Sequence, residues 1–165
     1  MRSAVLAIAL LLTGCASAVE TPPPRPVQPD QLLEDVRILS ADDMEGRLVG
    51  TRGSARARAY LVQRLGEIGV KAATDDAYEQ TFVFTSEGEA HEGVNLLGRL
   101  DGTSRSRKTL LVMAHYDHLG VIDGQIYNGA DDNASGVATL LAVAEALSAD
   151  RPRRCRRRRC RSGRR

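Results

Sequence analysis

Two features of the 165-residue sequence predict an α/β fold. Apolar side chains recur at helical spacing over 54–68 and again over 137–147, marking two amphipathic helices. Between them lie short runs of β-branched, aromatic or continuous apolar residues bounded by Gly, Asn and Asp, which read as strands. At this length the chain holds one small domain at most.

The elements follow in order. Arg2 and the apolar run 4–12 have the anatomy of a signal peptide, with an apolar region too short to span a bilayer. Leu12-Thr13-Gly14-Cys15 resembles a bacterial lipobox, so 1–14 is expected to be removed and Cys15 to carry a diacylglyceryl group. The competing reading is an ordinary secretory signal cut near Ala18. Either takes the protein out of the cytoplasm, and the first makes it a membrane-anchored lipoprotein of the cell envelope. Prolines at 22, 23, 24, 26 and 29 make 15–30 a stiff, extended tether. Asp30 is the expected N-cap of a first helix whose apolar face carries Leu33, Val36 and Leu39. A second helix is expected to start near Ser54, bury Ala57, Leu61, Leu65 and Ile68, and stop at Gly69. Arg56, Arg58 and Arg64 read as its solvated face.

Residues 81–85, 94–97 and 109–113 read as strands, the last apolar enough to be buried on both faces. The Gly/Glu-rich stretch 87–93 reads as a loop that leaves His91 in solvent. A closing helix presents Val137, Leu140, Leu141, Ala144 and Leu147 on one face, which is expected to pack back on the sheet.

Chemistry concentrates in AHYDHLG at 114–120 and NGADDNASG at 128–136. Zinc takes His nitrogen and Asp oxygen ligands, and a second carboxylate usually fixes the tautomer of a ligating ring. His115 and Asp117 suit those two roles, because residues two apart at a strand end point to the same side. Asp132 can supply a carboxylate from a separate loop, to which Gly129, Ser135 and Gly136 give freedom and tight packing. An isolated H-x-D also describes a surface hydrogen-bonded pair, and on the residues alone both readings stand. His118 either lines a cleft or packs locally. In open α/β sheets ligands gather outside the carboxyl ends of strands, where the H-x-D falls.

The combined strings resemble the co-catalytic zinc aminopeptidases of the M28 peptidase family, over about 33–150. Weaker parts of the resemblance are 39–70 and GVNLLGRLDG at 93–102. The resemblance implies part of a three-layer fold with a mixed sheet, incomplete at the C-terminus. It also implies two zinc ions, peptide substrates, and metal-dependent removal of N-terminal residues. By the same resemblance His115 is the first metal ligand, Asp117 the carboxylate that orients it, and Asp132 the carboxylate that bridges the metals, with Asp131 its close competitor. A cis peptide between Asp132 and Asn133 is implied as well. The family's Glu general base, adjacent Glu ligand, further Asp and last His normally lie downstream of this loop. Beyond Asp150 the sequence holds no acidic residue and no histidine. The chain is therefore expected to be an inactive, truncated or frame-shifted aminopeptidase, or else a non-catalytic, membrane-anchored binding module of the same fold.

The formal net charge of +2 is misleading. Ten of the 23 basic side chains lie in 151–165 with no acid, so 1–150 sets 13 basic against 21 acidic residues, a net of −8. That acidic body, without an aromatic platform, argues against nucleic acid as a partner. The tail is expected to be disordered and a product of the wrong reading frame. Its Cys155 and Cys160 have no His or Cys nearby at zinc spacing.

Overall fold

Helix α1, Pro29–Leu39, begins on a proline whose fixed φ and missing N–H suit the first helical turn. The computed structural model of the protein describes residues 27–149 other than 75–76 and 103–107. The expected signal peptide, Cys15, most of the tether and the arginine-rich tail lie outside the described residues. Helix α1 thus starts inside the stretch 15–30. Gln28, not Asp30, is the N-cap, and Asp30 sits in the first turn, where its charge meets the positive end of the helix. The expected apolar face is only partly right. Leu39 is fully enclosed, whereas Leu33 is exposed and Asp35 takes an inward position.

Asp35 is buried because helix α2, Arg52–Ile68, brings partners to it. Arg64, expected in solvent, is instead buried and donates to Asp35 from Nε at 2.9 Å and from Nη2 at 3.4 Å. The Tyr60 hydroxyl donates to the same carboxylate at 2.5 Å. A buried arginine is tolerable once its charge and donors are matched this way. Thr51 caps α2 by accepting from the Ser54 amide, and Gly69 ends it in the left-handed conformation. Ala57, Leu61 and Leu65 are buried as expected, with Ile68 half-buried.

Between the helices, Asp42–Arg47 forms a 3-10 turn in which Glu45, Gly46 and Arg47 all have positive φ, at 50°, 63° and 54°. A Cβ on Gly46 would lie 2.5 Å from the carbonyl oxygens of Gly120 and Tyr127, so only glycine lets this turn sit on the chain beyond it.

The strands form three antiparallel pairs: β1 (Lys71–Ala72) with β4 (Gly98–Arg99), β2 (Glu79–Ser86) with β3 (Glu89–Leu96), and β5 (Gly120–Ile122) with β6 (Gln125–Tyr127). The expected loop 87–93 is mostly strand. Only Glu87 and Gly88 turn the chain, both at positive φ as two-residue hairpins require. His91 is exposed on β3, its ring 5.4 Å from that of Phe84.

Residues 109–113 correct the sequence reading most sharply. They join no strand pair among the described residues, and Leu110, Leu111 and Met113 are 82%, 73% and 78% exposed. A continuous apolar run is buried on both faces only where neighbouring strands and helices cover it, and no described element does so here. Helix α3, Ser135–Ala149, buries Val137, Ala138 and Leu141 but leaves Leu147 exposed. It packs on α1 and α2 rather than on a sheet, because the core it joins is helical. That core comprises Leu39, Met44, Ala57, Leu61, Leu65, Val70, Ala134, Val137 and Leu141. Helices and strands together make an α/β fold, and no helix among the described residues is long and apolar enough to cross a membrane.

Candidate metal centre

His115 and Asp132, 17 positions apart in sequence, face each other across two loops, with His115 Nε2 3.2 Å from Asp132 Oδ1. The other ring nitrogen of His115 turns to Asp117, 3.2 Å from its backbone carbonyl and 3.5 Å from its carboxylate. His118 Nδ1 stands 3.5 Å from the second oxygen of Asp132. The His118 ring packs on Gly129, where a Cβ would come within 2.6 Å of it. The Asp132 carboxylate therefore stands between two imidazoles. Asp131 is exposed, and its backbone carbonyl accepts from the Ser135 hydroxyl.

Local sequence explains how Asp132 arrives there. Gly129, left-handed at φ 61°, leads into a wide turn over Ala130–Ala134, closed by the Ala134 amide on the Gly129 carbonyl at 3.2 Å. Asp132 and Asn133 leave helical geometry inside that turn, and the peptide between them is cis, as the family resemblance implies. The Asn133 side chain accepts from the Gly136 amide at 3.2 Å, anchoring the start of α3, and donates to the His115 carbonyl at 3.3 Å. Asn128 fastens the other end of the turn, donating to the Ser40 carbonyl and to Asp42 Oδ1, each at 2.8 Å. On the histidine side, the Tyr116 hydroxyl donates to the Val94 carbonyl at 2.7 Å. Burial raises the Tyr116 phenol above its ordinary value, opposed by hydrogen bonds with Arg58 and Ser54.

Arg47 links the two loops. Its guanidinium is fully buried and donates to the carbonyls of Tyr116 (2.7 Å), Asn128 (2.7 Å), Gly129 (2.9 Å) and Leu39. Burial lowers its pKa from the usual arginine value, and the nearby charges of Asp117 and Asp132 partly restore it. Sequence reasoning assigned no part to Arg47 or Asn128, and to Asn133 only the cis peptide. Asn128 had a trace, the Asn-Gly pair at a turn. Arg47 had none, because its partners are backbone carbonyls.

The geometry has a chemical consequence. In the tautomer whose Nδ1 proton is donated to Asp117, the Nε2 lone pair faces a carboxylate oxygen of Asp132. Two lone-pair donors repel at that range unless a proton or a cation lies between them. Ligand atoms around tetrahedral zinc, at bond lengths of roughly 2.0–2.1 Å, sit about 3.3 Å apart. The His115–Asp132 separation fits that spacing. The side chains of His115, Asp117 and Asp132 are 54%, 46% and 67% exposed, so the cluster is open to water. Among the described residues no group of three or more His, Cys, Asp or Glu side chains converges to hold one ion.

Residues 95–158 match the model of Peptidase family M28. Over 120 residues, 70% of this chain and 19% of the relative, the sequence is 32% identical to BOS complex subunit ncln of Danio rerio. It is 36% identical over 59 residues to Nicalin of Caenorhabditis elegans, covering 36% of this chain and 10% of that protein. The chain thus spans a fifth or less of the length of these curated relatives. The crystal structure of Fimbriiglobus ruber glutaminyl cyclase shares the fold with a TM-score of 0.62, at 22% identity, over 77% of this chain and 42% of that one.

Proposed function

We propose, from the match of residues 95–158 to the model of Peptidase family M28, that the chain carries the first half of an aminopeptidase-type zinc site, with His115 and Asp132 as metal ligands. Asp117 is the carboxylate that orients His115. The observation that carries this reading is the 3.2 Å approach of His115 Nε2 to Asp132 Oδ1, with the opposite ring nitrogen occupied by Asp117. Asp117 fixes the tautomer that leaves Nε2 free to ligate. Asp132 offers one oxygen beside His115 and a second oxygen that can bridge onward, at present facing His118. Zinc, when bound, lowers the pKa of a bound water and polarises the scissile carbonyl of a peptide substrate.

Two protein donors are fewer than the three a catalytic zinc usually has. The 165 residues are therefore expected to bind zinc weakly and to turn over no aminoacyl substrate. Zinc titration by calorimetry should show weak binding that His115→Ala and Asp132→Ala each remove. Binding indifferent to both substitutions sinks the ligand assignment, and measurable zinc-dependent hydrolysis of an aminoacyl anilide by the purified chain sinks the half-site reading.

A second reading, a non-catalytic binding module anchored through Cys15, draws support from the relatives that are by name subunits of a complex. Its expected partner is another protein at a membrane surface. Cys15→Ser should then move the chain from the membrane to the soluble fraction, and chelation should leave its helical circular dichroism unchanged. A wild-type chain already soluble after signal cleavage rules out the anchor.

A further inference from the structure

Arg47 has an unusual position for an ionised side chain. It is fully buried, in the left-handed region at φ 54°, and forms no ion pair among the described residues. A backbone conformation of that kind in a non-glycine residue persists only where its surroundings hold it. What holds this one is four carbonyl oxygens from three separate segments. Leu39 is the last residue of α1, Tyr116 separates His115 from Asp117, and Asn128 and Gly129 lead directly into the turn that carries Asp132. The fork of Nε, Nη1 and Nη2 thus spans both halves of the cluster and ties each to the helical core.

We propose that Arg47 is the positioning residue of the candidate metal centre, setting the distance between His115 and Asp132 by clasping the backbones of their two loops. This rests on the metal reading above. Three arguments support it. The acceptors are all main-chain atoms, so the contacts fix backbone position and not side-chain rotamers. Neutral carbonyls are poor partners for a buried charge compared with a carboxylate, so a cation kept there is accounted for by the geometry it imposes. The planar fork is also what the task needs, since a lysine ammonium presents its donors at one point and cannot bridge four separated carbonyls.

The test uses the full chain with Arg47→Lys, Arg47→Gln and, as a control, Arg52→Ala, whose exposed guanidinium pairs with Glu45. Two readouts are taken. Amide exchange in the metal-free protein should quicken together at 114–119 and 128–134 in both Arg47 variants, with protection in α2 retained. Zinc affinity should fall by roughly 10- to 100-fold, the usual effect of removing a group that supports a metal ligand, and Arg47→Lys should rescue little of it. Arg52→Ala should change neither. Should the Arg47 variants unfold, Asn128→Ala provides the second route. It cuts the parallel tie from the same loop to Ser40 and Asp42 and should loosen 128–134 and weaken zinc binding in the same direction. Full affinity in Arg47→Gln, full rescue by lysine, or exchange that rises in one loop alone overturns the clasp. A wild-type chain that binds no zinc removes the metal reading, and the paired exchange result then decides the clasp by itself.

Discussion

Replacing Asp35 by Ala is expected to remove about 3 kcal/mol of stability. Asp35 is 1% exposed and accepts from four donors: Gln31 Nε2 at 3.0 Å, the Tyr60 hydroxyl at 2.5 Å, and Arg64 Nε and Nη2 at 2.9 and 3.4 Å. Without it, the Tyr60 hydroxyl loses its acceptor and Arg64 keeps, among the described residues, only Glu67, at 2.9 Å. The Glu67 side chain is 48% exposed, so water screens that contact and it compensates weakly. Stranding one member of a buried pair costs roughly 3–5 kcal/mol, and the surviving Glu67 contact favours the low end. An exposed pair would contribute about 0.2–1 kcal/mol, a range urea unfolding distinguishes easily. With a slope near 2 kcal/mol/M, the far-UV midpoint should fall by about 1.5 M. Asp35→Leu combined with Arg64→Met removes both charges and should recover most of the loss. A loss below about 1 kcal/mol, or a double variant as unstable as the single one, refutes the view that this pair joins α1 to α2 away from water.

Three further outcomes are expected. Asp132→Asn should weaken zinc binding more than about tenfold, since a carboxylate ligand becomes neutral, whereas Asp131→Asn should leave it unchanged; the reverse order transfers the ligand role to Asp131. Burial first, and then its hydrogen bond to Asp35, raises the Tyr60 phenol above its ordinary value. The resulting stabilisation is whole below the ordinary tyrosine value of about 10 and declines as pH rises from there toward the folded value. Stability should accordingly fall in alkali, less steeply in Tyr60→Phe, with the residual slope including Tyr116; identical slopes contradict the assignment. Leu141→Ala, at a side chain 1% exposed, should cost about 2–5 kcal/mol, against less than about 0.5 for Leu147→Ala at 51% exposure. Comparable losses at the two positions discredit the helical core described above.

How far the sequence could be read depended on where each element finds its partners. Helix α2 was legible because its periodic Ala57, Leu61 and Leu65 and its terminal Gly69 are all local, although it starts at Arg52 behind a Thr51 cap and not near Ser54. The proximity of His115, Asp117 and Asp132 was legible because two compact strings contain them, though their chemistry is a proposal. Arg64 was misread because the residue that neutralises it, Asp35, is 29 positions away on another helix. Leu33 and Leu147 were misread for a related reason: an apolar stripe shows which face is available for burial, and only the neighbours decide how much of it is covered. The 109–113 run failed by the same logic, since composition signals appetite for a sheet and not the presence of one.

That bare run also governs how the protein behaves as a colloid. Residues 109–114, Thr-Leu-Leu-Val-Met-Ala, combine apolar character, β-forming side chains and freedom from charge and proline, the composition that stacks copies into intermolecular sheets. Since the run leads directly into His115, self-association there would hide the metal-binding face as concentration rises. Light scattering should increase with protein concentration whether or not zinc is present. Leu111→Lys, at a position 73% exposed, should suppress that increase without touching the core.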